Sequence, residues 1–272
     1  MAICIDGNFV CLGGGCFCQT PTGVEFSGQA VANQFCDTRS LQGSVSGYNS
    51  GGACSPPFAT TPRIDRWPFA SDTNASYVAN LFCGTYSGAG SSSQENGYTS
   101  GGQCAQPFCR LDVIQKFPFA TSSPASNVGE LTDLTFQIGG GTSSFENGYV
   151  AGGESPPSGS RINRIDKFPF SSDSPATDIG NMTQCRGQVS GQNSCENGYN
   201  TGGSLVPAVS SCIDKFPFAV DTNASGVGTL ANGNIREGAG QSSTVSGYHS
   251  GGFAPTTCDT IDKFPFATDS PS

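Results

Sequence analysis

Few side chains in this sequence could act as acids, bases or nucleophiles. The single histidine, His249, takes a position that is filled in four earlier copies of the same pattern by Asn49, Thr99, Val150 and Asn200. This variation favours an exposed, variable side chain over a general acid or base. The sequence contains no Gly-x-Ser-x-Gly motif, zinc-protease motif or phosphate-binding loop. We therefore predict a non-enzymatic protein with no catalytic residue and no cofactor.

Carboxylates recur in one equivalent position that follows an isoleucine. Asp65, Asp166, Asp214 and Asp262 occupy this position, and Gln115 replaces the acid in the remaining copy. A glycosidase needs two carboxylates about 5 to 10 Å apart across one cleft, which equivalent residues of separate repeats do not obviously supply. We favour the interpretation that these side chains form a hydrogen bond that maintains the fold.

Two tracts, Asp72-Thr-Asn74 and Asp221-Thr-Asn223, could supply oxygen ligands for calcium. Capping of turns by Asp and Asn side chains explains the same residues and is favoured. Three asparagines also match the acceptor pattern for N-glycosylation, in Asn74-Ala-Ser76, Asn181-Met-Thr183 and Asn223-Ala-Ser225. We interpret them first as turn residues.

The thirteen cysteines are an odd number, so at least one thiol is free, metal-bound or paired with another chain. A cluster near the N-terminus could form a zinc site, although the paired Cys-x-x-Cys spacing of ordinary zinc modules is missing. Disulfides are favoured if the protein acts outside a cell. The cluster and the candidate short-range pairs are, in order, Cys4, Cys11, Cys16 and Cys18, then Cys104 with Cys109 and Cys185 with Cys195.

Composition and charge exclude several classes of protein. The net charge of -9 disfavours binding to nucleic acid or to anionic membrane surfaces. The absence of a long apolar stretch and of a basic leader predicts a soluble chain without membrane insertion. With 38 glycines, 17 prolines and only 12% charged residues, the chain is unsuited to helical bundles. We expect short strands joined by many turns.

An internal repeat of about 50 residues dominates the sequence. Each copy contains a block that resembles Asn-Gly-Tyr-x-Ser-Gly-Gly, followed by a block that resembles Ile-Asp-Lys-Phe-Pro-Phe. The five tyrosines and the five matching aromatic residues of the second block, which we predict to be structural, are Tyr48, Tyr98, Tyr149, Tyr199 and Tyr248, with Trp67, Phe117, Phe168, Phe216 and Phe264.

The two blocks predict strands and turns. Asn-Gly or Ser-Gly is typical of a two-residue type I′ hairpin turn, so we expect the tyrosine to open a return strand that stops at Gly-Gly. Ile-Asp-Lys-Phe alternates with period two, which predicts a buried Ile and Phe and an outward Asp and Lys. The following proline ends that strand. An apolar pair such as Val78 and Leu81 then indicates a fourth strand.

Four short strands in each of five repeats predict an all-β fold, a five-bladed β-propeller. A parallel β-helix is the alternative, but its coils are shorter than this repeat. We assign residues 31–272 to the propeller and residues 1–30 to a Cys-rich N-terminal extension. The segment Val31 to Leu41 has the pattern of an outer strand, so we expect it to complete the last blade and close the ring. Donation of this strand to a neighbouring subunit is the alternative.

The Gly-Gly doublet and the preceding tyrosine match the kelch repeat, and the order of the strands resembles it over about residues 31 to 272. Kelch repeats usually carry tryptophan where this sequence has Val78, Val128, Ile179 and Val227. The pairing of Ile-Asp-Lys-Phe-Pro-Phe with Gly-Tyr-x-Ser-Gly-Gly is similar to repeats of virion-attached proteins from marine tailed phages and other large aquatic viruses. This resemblance implies a virion or an extracellular surface as the location.

The leading functional hypothesis is a structural and recognition module that displays variable loops or docks onto a larger particle, most plausibly a virion. Its partners would be other virion or surface proteins, or further copies of the chain in a homo-oligomer. A glycan-binding lectin is the alternative, with Asn49, Asn200 and His249 lining its pockets. An enzyme on a kelch-like ring is disfavoured, because copper oxidases of that kind need several imidazole and phenol ligands and this chain has one histidine.

Overall fold

The computed structural model divides the chain into two compact units, Met1–Thr38 and Arg39–Ser272. The structure describes residues 9–12, 15–20, 23–26, 29–30, 45–54, 59–105, 108–138, 140–157, 159–233, 235–254 and 256–268. These residues form strands and turns without a helix. In this part of the chain, accordingly, no helix is available that could cross a bilayer.

The N-terminal unit contains one four-stranded antiparallel sheet, in which each strand pairs with the next. Cys11 and Cys16 are paired positions in the backbone register of the first two strands, whereas Cys4 lies outside the described residues. The zinc and disulfide hypotheses for this cluster therefore stay predictions. The strands are β1 (Phe9–Leu12), β2 (Gly15–Thr20), β3 (Gly23–Phe26) and β4 (Gln29–Ala30).

The second unit confirms the predicted fold class: five small antiparallel sheets are arranged as the blades of a five-bladed β-propeller. Blades 1 and 5 have three main strands each within the described residues, and blades 2, 3 and 4 have four. The main strands are β5 (Ser46–Ser50), β8 (Arg63–Pro68) and β9 (Ser76–Asn80) in blade 1; β10 (Ala89–Ser92), β11 (Asn96–Ser100), β14 (Val113–Pro118) and β15 (Ser126–Glu130) in blade 2; β16 (Gly140–Ser143), β17 (Asn147–Ala151), β20 (Arg164–Pro169) and β21 (Thr177–Asn181) in blade 3; β22 (Ser190–Asn193), β23 (Asn197–Thr201), β24 (Cys212–Pro217) and β25 (Ser225–Thr229) in blade 4; β26 (Ala239–Ser242), β27 (Ser246–Ser250) and β30 (Ile261–Pro265) in blade 5.

A small hairpin follows the Gly-Gly doublet in four of the blades. In blade 4 the structure has a single bridge between Ser204 and Val209 at this place. The segment Val31 to Leu41, which we expected to close the ring, lies outside the described residues. The hairpin strands are β6 (Ala53–Cys54) with β7 (Ala59–Thr60), β12 (Gln103–Ala105) with β13 (Phe108–Arg110), β18 (Glu154–Ser155) with β19 (Ser160–Arg161), and β28 (Phe253–Ala254) with β29 (Thr256–Thr257).

The predicted type I′ turn at Asn-Gly is wrong. In blade 2, Asn96 and Gly97 already belong to strand β11, and the turn precedes them: the Ser93 hydroxyl accepts hydrogen bonds from the backbone N–H groups of Glu95 and Asn96. The glycine is required for another reason. It lies opposite Phe117 on the paired strand, and a Cβ at Gly97 would overlap the phenyl ring. The same relation holds in the other four blades.

Strand β11 and its equivalents stop at Gly-Gly, as predicted. In blade 2, Gly101 and Gly102 have φ angles of 62° and 93°, a region that side chains disfavour. The expected outward position of the acid in Ile-Asp-Lys-Phe is wrong for blades 3 to 5, where Asp166, Asp214 and Asp262 are buried. A register shift directly after the isoleucine interrupts the alternation in blades 3 and 4, for example between Ile165 and Asp166.

The core lies between consecutive blades. The tyrosine of one blade packs on both phenylalanines of the next, as Tyr149 does on Phe216 and Phe218 at centroid separations of 5.4 and 4.9 Å. Ile165 joins the same apolar cluster and is fully buried. Equivalent pairs join blades 1 and 2, 2 and 3, and 4 and 5. The repeated aromatic residues therefore hold neighbouring blades together.

Candidate functional site

The acid of the Ile-Asp-Lys-Phe block forms hydrogen bonds with the segment that crosses from one blade to the next. In blade 3, Asp166 accepts hydrogen bonds from the backbone N–H and the hydroxyl of Thr132, which follows the last strand of blade 2. Asp214 accepts the same two bonds from Thr183. In blade 2 the Gln115 side-chain oxygen accepts from the Cys83 N–H. The predicted role in maintaining the fold is confirmed for these positions.

Blade 4 adds a buried ion pair to this arrangement. The guanidinium of Arg186 donates to Asp214 at 2.6 Å and to the backbone oxygens of Gly202 and Cys212. Both charged side chains are completely shielded from solvent. Because each charge is compensated only by the other and by nearby hydrogen bonds, the pair fixes the position of the crossing segment rather than offering a reactive group.

The three residues predicted to line a glycan pocket occupy different environments. Asn49 is exposed on blade 1, whereas Asn200 and His249 are buried between blades. The expectation that these two are exposed is wrong. Both side chains face the preceding blade: His249 contacts Thr201 of blade 4, and Asn200 lies beside Gly140 of blade 3. Asn200 and His249 therefore do not face solvent as a glycan pocket requires.

His249 contacts blade 4. Its Nδ1 lies 2.9 Å from the Thr201 hydroxyl, and no hydrogen-bond partner of Nε2 is found among the described residues. Gly238 lies beside this ring edge, and a Cβ at that position would overlap the ring. Burial lowers the pKa of His249 below its usual 6.5, while the nearby Asp262 carboxylate opposes this shift. The imidazole is thus a neutral packing element.

This burial predicts a pH dependence of stability. The unfolded chain takes up a proton on His249 near pH 6.5, before the folded chain does, so the free energy of unfolding falls as the pH drops below that value. The loss is about 1.4 kcal/mol for each pKa unit of depression. Urea titrations between about pH 7.5 and 5 measure it. In His249→Asn, which copies the residue of blade 4, this part of the dependence should vanish; parallel curves for both proteins would contradict the prediction.

In one of the two tracts considered for calcium, the side chains join blades, whereas Asp72 and Asn74 of the other tract are exposed. Asp221 binds the ammonium group of Lys167 from the preceding blade at 2.6 Å. The side-chain oxygen of Asn223 accepts a hydrogen bond from the backbone N–H of Asn181 at 2.9 Å. Both oxygens therefore have protein donors. No cluster of acidic, cysteine or histidine side chains suited to a metal ion occurs among the described residues.

The part of each blade that differs most lies after the Gly-Gly doublet. We name residues 53–60, 103–110, 154–161, 204–210 and 253–258 the Gly-Gly hairpins. Their sequences share little, and they expose apolar side chains: Phe108 is 63% exposed and Val206 is 64% exposed. The doublet holds these loops in equivalent places of every blade. These hairpins are the best candidate for a recognition surface.

The Gly-Gly hairpin of blade 3 is anchored to its blade and to blade 4 by buried polar groups. Glu154 and Arg161 form an ion pair across the hairpin of blade 3, and both side chains are nearly buried. Arg161 also donates to Gln137 and, across to the hairpin of blade 4, to Ser204 at 3.1 Å. Burial lowers the pKa of Arg161 from its usual value, with a contribution from the positive charge of Arg236. The base of this hairpin is therefore well fixed.

The cysteine predictions have mixed outcomes. Cys104 and Cys109 face each other in register in the hairpin of blade 2 and form the predicted disulfide, with a Cα–Cα distance of 5.2 Å. The predicted pairing of Cys185 with Cys195 is wrong, since Cys185 is a free, exposed thiol. Cys104 and Cys109 are opposite partners on paired strands, which is the geometry that a bridge across a hairpin needs.

The repeat pattern did not predict the Gly-Gly hairpins, because they are the part of each copy that differs from the others. The signal in the sequence was the loss of similarity among the five copies between Gly-Gly and the next isoleucine.

A scan of protein-family models and a search of curated proteins found no match to this chain.

Proposed function

We propose that this chain is a non-enzymatic structural and recognition module whose Gly-Gly hairpins contact other proteins. The observation that carries this proposal is the contrast between the two parts of each blade. The framework residues recur and are buried between blades, whereas the Gly-Gly hairpins differ from blade to blade and expose large apolar side chains. A rigid repeated frame that presents variable loops is the usual organisation of a recognition surface.

The positions of the titratable groups support a role without catalysis. The buried acids Asp166 and Asp214 bind backbone N–H groups, and the single histidine is buried between blades. These side chains are engaged in holding the propeller together. Fold alone does not decide between an enzyme and a binding module, so the proposal depends on these contacts.

We further propose that the module belongs to a virus particle, where it mediates assembly or attachment to a host surface. The support is the resemblance of the repeat to those of virion-attached proteins. Immunogold electron microscopy of particles purified from cells that express this sequence, with an antibody against the propeller, provides the test. Label on intact particles is expected, and label confined to soluble material would contradict the virion role.

Glycan binding is the second candidate function. Exposed Phe108, beside the Cys104–Cys109 bridge, offers an apolar ring of the kind that can pack against the face of a sugar. A panel of immobilised glycans would give a signal that Phe108→Ser abolishes. Phe145→Ser, at an exposed position outside the Gly-Gly hairpins, serves as the control. A panel without any signal would eliminate this candidate.

A further inference from the structure

The interface between consecutive blades has two complementary sides. The leading side presents the tyrosine, the isoleucine and the lysine of one blade, and the trailing side presents the two aromatic residues and an acid of the next. Between blades 3 and 4, Tyr149 stacks on Phe218, Ile165 lies in the shared cluster, and Lys167 pairs with Asp221. Four apolar interfaces of this kind join the five blades, and the ion pair also occurs between blades 2 and 3, as Lys116 with Asp173.

The trailing side of blade 1 is not covered. Trp67 is 37% exposed, whereas its equivalents in the other blades are at most 5% exposed. Phe69 and Ala75 are also exposed, although Ala125, the equivalent of Ala75 in blade 2, is buried. Asn49 is the one exposed residue of its equivalent set. Among the described residues, blade 1 therefore exposes the side chains that form the trailing side in the other blades.

The leading side of blade 5 is likewise free. Ile261 is 68% exposed, while Ile64, Ile114, Ile165 and Ile213 are completely buried in the equivalent position. Tyr248 is half-buried, in contrast to the buried tyrosines of blades 2 to 4. The four residues of strand β26 are exposed as well, unlike most of those in β16 and β22. Within the part of the chain that the structure describes, the seam between blades 5 and 1 is thus open.

We propose that the open seam is an interface for a second copy of this chain, with blade 5 of one copy packed on blade 1 of the next. The two faces match because they are the leading and trailing sides of an aromatic contact that each copy already makes four times. Ile261 and Tyr248 would cover Trp67 and Phe69. Lys263 would meet Asp72, as Lys167 meets Asp221 inside the chain. The charges on the two faces are opposite.

A contact between two different faces leaves one face free on each end of a dimer, so further copies add head to tail. The inference depends only on the two exposed faces and stands apart from the virion role. Packing of blade 5 against blade 1 of the same chain would use the same residues but would give a monomer at every concentration. The mass in solution therefore separates the two arrangements.

Sedimentation velocity at increasing concentration tests the proposal with two single variants. Trp67→Glu blocks the trailing side of blade 1, and Ile261→Glu blocks the leading side of blade 5. We expect the wild-type mass to increase with concentration, and each variant to associate more than about tenfold more weakly. An equimolar mixture of the two variants should form a 1:1 heterodimer and nothing larger, because each protein retains one functional face.

Phe145→Glu is the matched control, since Phe145 is similarly exposed but lies away from both faces, and it should assemble like the wild type. A wild-type chain that stays monomeric, or a single variant that still dimerises alone, would overturn the proposal. If either glutamate variant fails to fold, Asp72→Lys and Lys263→Asp replace them, as both positions are exposed. Each should associate weakly alone, and mixing the two should restore alternating head-to-tail association, because the unchanged Lys263 and Asp72 pair at one contact and the reversed charges pair at the next.

Discussion

Replacing Asp214 with alanine is expected to lower the free energy of unfolding by about 3 to 5 kcal/mol. The substitution leaves the guanidinium of Arg186 buried without its counter-ion. It also removes both acceptors of the Thr183 hydrogen bonds that hold the crossing segment. Urea unfolding measures the loss, and a change below about 1 kcal/mol would show that the pair does not fix this segment.

The double variant Arg186→Met with Asp214→Gln separates the charge effect from the loss of packing. Gln115 shows that an amide fits this position in blade 2, where Thr85 stands in the place of Arg186. The double variant should therefore be less destabilised than the sum of its single substitutions by about 1 to 3 kcal/mol. Additive effects would contradict a direct coupling between the two side chains.

Phe216→Ala should destabilise the propeller by about 3 to 5 kcal/mol, because it opens a cavity in the contact between blades 3 and 4. The ring is completely buried against Tyr149 and lies over Gly198 of its own sheet. Trp67→Ala, at the equivalent position of blade 1, provides the matched control. Since Trp67 faces the open seam, Trp67→Ala should lower the free energy of unfolding by only about 1 kcal/mol in dilute solution.

The two aromatic variants must be compared at low protein concentration, because association through the seam would add stability to any form that keeps Trp67. At high protein concentration the loss of unfolding free energy caused by Trp67→Ala should grow, because the wild type is then stabilised by association. The loss caused by Phe216→Ala should stay the same. Equal losses for both variants in dilute solution would mean that the seam is closed within one chain.

Much of the architecture could be predicted from the sequence because the signals are local. The number of blades follows from the spacing of the tyrosines, and the strand ends follow from Gly-Gly and from the proline after Phe216 or Phe264. The disulfide between Cys104 and Cys109 was also predictable, since a short hairpin places its two ends together. Each of these features depends on residues that are close along the chain.

The burial of polar residues could not be predicted in the same way. Asp214 looks like the outward member of an alternating strand, and His249 looks like a variable surface residue. Both are buried because a neighbouring blade covers them, through contacts such as Thr183 with Asp214 and Thr201 with His249. Partners that lie about 30 to 50 residues away leave no local pattern.

The sequence by itself determined five repeats, an all-β fold and the residues of the framework, because a repeated local pattern can form only a repeated local structure. The tertiary structure alone decided which face of each repeat is covered. Ile165 and Ile261 are both followed by Asp-Lys-Phe-Pro-Phe but have opposite exposures, since only Ile165 has a following blade. A face of a blade is buried only where another blade packs on it. The two end faces of the array, on blades 1 and 5, therefore stay open for a partner.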